Sequence, residues 1–263
     1  MTGGVIDIGT FQLFAAAALM LVAGFVSWRL ALGQEKAIAV ATVRAFVQLL
    51  AMGFLLVYLF EYQSWWLVLC VLLAMVLCAT QIALSRVKGK VGGLWPSVFI
   101  SLFVSALSIA FIVVEGVIQP DPWYSARQLV PISGMALGNT MAAAAVAIDR
   151  LFADMDSRSD EIFSLVALGA TPREAAMPSL KAAIGAGITP TLATMSAAGI
   201  VQIPGMMSGQ ILAGADPVIA AKYQIVVLLM MSAAVTLAIV MVCFLTFRKR
   251  FSPEGYFLDR GLR

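Results

Sequence analysis

The chain is divided into apolar runs of about twenty residues, the length an α-helix needs to cross the ~30 Å hydrocarbon core of a bilayer. Spans are expected near 11–32, 37–60, 65–84, 96–118, 128–150, 182–203 and 222–247. Hydrophobic residues make up 62% of the chain and charged residues 12%, an apolar load that a soluble fold of 263 residues has no interior to hide. Helices are required, because hydrocarbon offers no partner to an open strand edge. The expected fold is therefore an all-α integral membrane protein: a bundle of about seven transmembrane helices forming one domain over residues 1–263. The first ten residues lack the basic start of a secretory signal, so the first run is read as a true span. Cys70, Cys78 and Cys243 all fall inside apolar runs, which gives neither a disulfide framework nor zinc spacing.

The basic residues set an expected orientation. With seven spans, 14 of the 17 Lys and Arg residues fall on one side, in the loops around Arg29–Lys36, Arg86–Lys90 and Arg150–Lys181 and in the tail from Arg248 to Arg263. Only Arg127 and Lys222 fall on the other side, and Arg44 lies within a span. The positive-inside rule then places the N-terminus outside, and the C-terminus and residues 151–181 in the cytoplasm.

That cytoplasmic stretch, LFADMDSRSDEIFSLVALGATPREAAMPSLK, is the one long polar interruption, and it reads as two helices joined at a turn. Gly169 can adopt the left-handed conformation that ends the first helix. Thr171 can cap the second, Pro172 suits a first turn that needs no amide hydrogen, and Glu174 completes a Thr-x-x-Glu capping box. In the first helix Ile162, Phe163, Leu165, Val166 and Leu168 cluster towards one side. A short amphipathic helix between spans rests on a membrane surface or in a partner's groove, unless it is simply a solvated loop.

Polar residues inside spans are costly and so are candidates for function. Arg44 and Gln48 lie one turn apart and share a helix face, which points to the bundle interior, a watery cavity or, by snorkelling, the cytoplasmic interface. Asn139 follows a Gly134-x-x-x-Gly138 pair that permits close helix approach; it can serve packing or a path. Between Pro204–Gly205, expected to break span six, and the Asp216–Pro217 helix start lies MMSGQILAG. That piece is too short to cross, so residues 204–216 are expected to form a re-entrant or interfacial segment on the outer side. Met206 and Met207 offer thioethers to a soft metal, although methionines more often fill gaps. Gln210 joins them as a candidate for the path. The chain has no His, which removes the commonest transition-metal ligand.

No phosphate-binding loop, dinucleotide fingerprint, His-based triad or zinc spacing is present, so no catalytic residue is assigned. A gradient-driven carrier would place carboxylates mid-membrane, and only Glu115 approaches that; a scaffold for a cytoplasmic partner would need no unusual 203–224 segment.

VALGATPREAAMP resembles the coupling loop of ABC-transporter permeases, with a shorter distance from Gly169 to Pro178 and with Met177 in place of the usual Leu. A closer likeness covers nearly the whole chain, through VRAFVQL at 43–49, PISGMALGNTM at 131–141, LGATPREA at 168–175 and IPGMMSGQILAGADPVIAAKYQI at 203–225. These blocks are similar to the Fet-type (FetB-like) ABC permeases, a family of iron exporters with plant relatives linked to aluminium tolerance. The resemblance implies a homodimeric, multi-pass permease in a bacterial inner (plasma) membrane that exports iron or another metal. ATP and Mg would sit in a separate cytoplasmic ATPase subunit, with no cofactor in this chain and no nucleic acid among its partners. Gly169, Ala170, Thr171, Pro172 and Glu174 would couple the two subunits. Arg44, Gln48, Asn139, Met206, Met207 and Gln210 are the candidates for the translocation path.

Overall fold

The structure is a computed structural model that describes residues 9–62, 64–87 and 92–258. Lys88, Lys90, Arg260 and Arg263, which contribute to the expected charge asymmetry, lie outside the described residues. Helices are α1 (Thr10–Arg29), α2 (Glu35–Tyr62), α3 (Trp65–Arg86), α4 (Trp95–Ile118), α5 (Ala126–Ser157), α6 (Ser159–Ala167), α7 (Pro172–Ala197), α8 (Gly205–Leu212) and α9 (Pro217–Thr246). α4 contains two wider, π-type turns, Phe103–Leu107 and Val114–Ile118. A 3₁₀ turn, Phe247–Arg250, continues α9.

Six of these helices, α1 to α5 and α9, are long and apolar enough to cross a membrane. The expected sixth span corresponds to α7, whose 26 residues reach about 39 Å. α7 packs along α5 and α9, but Arg173, Lys181 and its Pro, Gly and Thr residues make it less apolar than the other six. It also departs from the expected boundaries at both ends. It begins at Pro172 because the capping box starts a helix ten residues before the apolar run does. It ends at Ala197, where Gly199 turns the chain at φ +83°, so the break comes before Pro204–Gly205.

α5, α7, α9 and α3 form the packed centre, with α4 against α3 and α9. Alanines make the contacts: Ala136, Ala144, Ala147, Ala176, Ala183, Ala234 and Ala238 are fully buried. With no hydrophobic drive between helices in lipid, close approach of small side chains supplies the packing energy. Gly187 of α7 marks the tightest point; a Cβ there would sit 2.8 Å from Ile239 Cδ1 and 3.1 Å from Ala147 Cβ.

α1 and α2 are different. They pack on each other and barely touch the rest; none of the apolar window of α2 is buried, against half of that of α5.

Candidate functional site

The turn between α6 and α7 is built as the residues dictate. Gly169 has φ +95° and its N–H donates to Val166 O at 3.0 Å, while Ala170 N–H donates to Leu165 O at 3.0 Å. This is a Schellman closure, which the left-handed glycine permits. Thr171 Oγ1 accepts from Glu174 N–H at 3.3 Å, and the Glu174 carboxylate accepts from Thr171 N–H at 2.8 Å and from its hydroxyl at 2.7 Å. Those bonds from the Thr171 hydroxyl and amide hold the Glu174 carboxyl below its usual range. The five apolar residues of α6 do not share one side. Ile162 is buried, with Leu165 and Val166 packed beside it, whereas Phe163 and Leu168 point outward, Leu168 at 86% exposure. Only part of the cluster rests on the bundle, which leaves two apolar knobs free beside the turn.

The C-terminal segment braces this turn. Arg250, buried, pairs with Asp156 at the end of α5 and lies over the Phe257 ring, 5.5 Å from its centre. Arg173 lies over Phe244 at 5.3 Å, and a Cβ at Gly255 would stand 3.6 Å from Pro172 Cγ. Residues 151–157, expected in the loop, instead extend α5, with Leu151, Phe152 and Met155 fully buried. The polar segment is therefore an extension of the bundle.

At the opposite end of α5 lies a cavity of about 590 Å³ between α5, α8 and α9. Arg127, Gln128, Met135, Met206, Gln210 and Tyr223 line it with Ile118, Pro131, Ile132, Ala215 and Ile219. α8 is held over the cavity by its flanks. Gly214 at φ +93° ends it, and the Asp216 carboxylate then caps α9 by accepting from Val218 N–H at 2.8 Å and Ile219 N–H at 3.1 Å. At eight residues, or about 12 Å, α8 is too short to cross a bilayer. Gln210 Oε1 is buried with no hydrogen-bond partner in the structure.

A second cavity, of about 310 Å³, lies further along α5, lined by Asn139, Val146, Pro190, Thr191, Thr194 and Met231 among others. Asn139 Nδ2 donates to Met135 O at 2.8 Å and approaches Met231 S at 3.3 Å, which ties the two cavities together. Gln128, Met135, Asn139, Ala142 and Val146 recur at helical spacing, so one stripe of α5 lines both cavities. From Gln128 to Val146 it covers about 27 Å, close to the hydrocarbon thickness.

Of the path candidates, Asn139 lies on this stripe, and Met206 and Gln210 line the larger cavity from α8. Met207 lines neither cavity. Arg44 and Gln48 are exposed on α2 and line neither cavity. They share a face, as their spacing requires, but the loosely attached hairpin does not turn that face to either cavity. Sequence reasoning missed Arg127, Met135, Tyr223 and Met231. Among the described residues, no group of three or more His, Cys, Asp or Glu side chains could hold a metal ion.

Residues 10–251 match the family described as uncharacterised protein family UPF0014. The chain is 36% identical over 235 residues to the UPF0014 membrane protein YjkA of Bacillus subtilis, covering 89% of this chain and 92% of that one. It is 34% identical over 244 residues to the probable iron export permease protein FetB of Escherichia coli, covering 92% of each. It is 31% identical over 225 residues to the protein ALUMINUM SENSITIVE 3 of Arabidopsis thaliana, covering 85% of this chain and 81% of that one. No solved structure matches the chain. With nearly its whole length matched, and with helices long and apolar enough for a multi-pass membrane protein, the chain belongs to the UPF0014 membrane protein family, the family that includes FetB.

Proposed function

We propose that this chain is the membrane-spanning subunit of an ATP-driven exporter of iron or another metal. It works as a homodimer with a separate cytoplasmic ATPase that carries the ATP and Mg sites. One observation carries this reading: a rigid, doubly capped turn and a cavity stand at opposite ends of a single unbroken helix, α5. Its 32 residues span about 48 Å, and Asp156 at one end is clamped to the C-terminal segment that also braces the turn. A push on the turn is therefore delivered to the helix that lines the path. Phe163 and Leu168 present the apolar surface that a groove on the ATPase would receive.

The similarity to a probable iron export permease supports this cargo class and direction. The second copy has a physical reason. Asn139 is exposed in the middle of α5, and a side-chain amide at that depth needs a protein cover instead of lipid. The charge asymmetry of a seven-span chain supports a cytoplasmic α6–α7 turn with the large cavity towards the outside, and a bacterial inner membrane is the setting that belongs to this reading.

The test is purification with the candidate ATPase, followed by ATP hydrolysis for wild type and Gly169→Pro. Proline cannot adopt the φ of +95° found at Gly169. The expected result is a stable complex whose hydrolysis responds to the wild-type permease and loses that response in the variant. Failure to bind any such ATPase, or normal coupling by Gly169→Pro, would overturn the reading.

A further inference from the structure

The cavity at the head of α5 has a chemistry that a bare cation does not match. At about 590 Å³ it lies within the range of organic-ligand pockets, roughly 300–1,000 Å³, whereas a single water needs only about 10–15 Å³. Among the described residues the only charged one lining it is Arg127, and no carboxylate is among the lining residues. A divalent ion stripped of water there would meet positive charge and no anionic ligand.

The polar groups point the same way. The Arg127 guanidinium rests on the Phe60 ring, 5.5 Å from its centre. A cation–π contact takes up no N–H donor by itself, so the guanidinium keeps donors for a ligand. Gln128 Oε1 already accepts from the Ser125 hydroxyl, so the amide N–H₂ is its remaining polar end. Tyr223 adds a hydroxyl. Against these donors stands one buried acceptor, Gln210 Oε1, which has no partner in the structure and would be satisfied by an O–H of the ligand. Met135 and Met206 supply apolar contact.

We propose that this cavity takes its metal as an anionic hydroxycarboxylate chelate and not as a naked ion, with Arg127 holding the carboxylate. The proposal rests on the metal-export reading above and adds the form of the cargo. In that form the chelator carries the negative charge that the cavity lacks, and the metal crosses without being stripped to bare thioethers and amides.

The experiment uses inside-out proteoliposomes containing the permease with its ATPase. Three probes are offered: radio-iron as ferric citrate, radio-iron as ferrous sulfate kept reduced, and labelled citrate alone. The expected result is ATP-dependent uptake of ferric citrate at least tenfold above ferrous ion, with iron and citrate labels moving together. Arg127→Gln should lower that uptake about tenfold, and Arg127→Lys should restore part of it. Faster uptake of ferrous ion, iron moving without citrate, citrate moving equally well without iron, or an unaffected Arg127→Gln would each overturn the proposal and leave ATP-driven transport standing. If no probe moves with ATP, the transport reading fails. Equilibrium dialysis of ferric citrate against the permease alone then decides the site: binding lost in Arg127→Gln upholds it, and no binding overturns it.

Discussion

The α1–α2 hairpin and the α3–α9 bundle both carry helices apolar enough to cross a membrane but are held in different ways. The bundle joins helices through alanine and glycine, and the Gly187 backbone nearly touches the side chains of two neighbouring helices. The hairpin turns Phe11, Phe14, Leu49, Phe54 and Val57 outward, each more than 60% exposed, and meets the bundle over little surface. Hydropathy alone does not separate the two, because lipid tails and protein interiors are equally welcoming to Leu and Phe. Small residues at contact positions do separate them. They mark where helices lock together, and so where a movement at one end must be felt at the other.

The sharpest challenge to this contrast is the clamp at the turn. Arg250→Met leaves Asp156 without its guanidinium; loss of one partner of a buried pair costs about 3–5 kcal/mol, and the partial exposure of Asp156 brings the expected value to about 2–3 kcal/mol. Denaturation in detergent should show that loss together with weakened ATPase coupling. Next comes glycine at the crossing. Gly187→Val should cost about 1–3 kcal/mol by overpacking against Ile239 and Ala147. Gly24→Ala in α1 and Gly53→Ala in α2 meet nothing within 4 Å, so each should gain up to about 1 kcal/mol of helix propensity. A large loss from Gly53→Ala would mean that another protein surface covers α2, and the contrast would then describe a protomer and not the assembly.

Thr171→Ala removes an exposed cap and should cost about 1 kcal/mol, read as faster amide exchange at residues 173–175. The smallest effect concerns pH. The Glu174 carboxyl is depressed in the folded state, so its contribution is complete above the ordinary carboxylate pKa of about 4.3 and is lost as pH falls through the lower folded value. Protection of the turn amides, measured against the unfolded chain at the same pH, should stay flat down to about pH 5 and fall only in the acid range. Glu174→Gln should abolish that acid dependence.

What could be read from the chain follows the same division. The α6–α7 turn was legible residue by residue, because Gly169, Thr171, Pro172 and Glu174 act on their own backbone and need no distant partner. The Asp216–Pro217 start of α9 was legible for the same reason. Arg44 and Gln48 do share an exposed face, but spacing fixes only which face two residues share and says nothing about what that face meets. Arg127 was counted as a loop charge, yet it opens the first turn of α5. Met135 and Asn139 do repeat at helical spacing with Gln128 and Val146, but an intervening run of alanines gives that stripe no contrast in the sequence. The Arg250–Asp156 clamp joins residues 94 positions apart and has no local signature.

The α6–α7 turn is proposed as the surface an ATPase pushes. A photo-crosslinking amino acid placed at Leu168, 86% exposed beside the turn, tests it against the same probe at Ile200, 90% exposed beyond the other end of α7. In membranes carrying both subunits, position 168 should give an adduct with the ATPase and position 200 should give none. A silent position 168, or an ATPase adduct from position 200, would contradict the account and reverse or remove the proposed orientation.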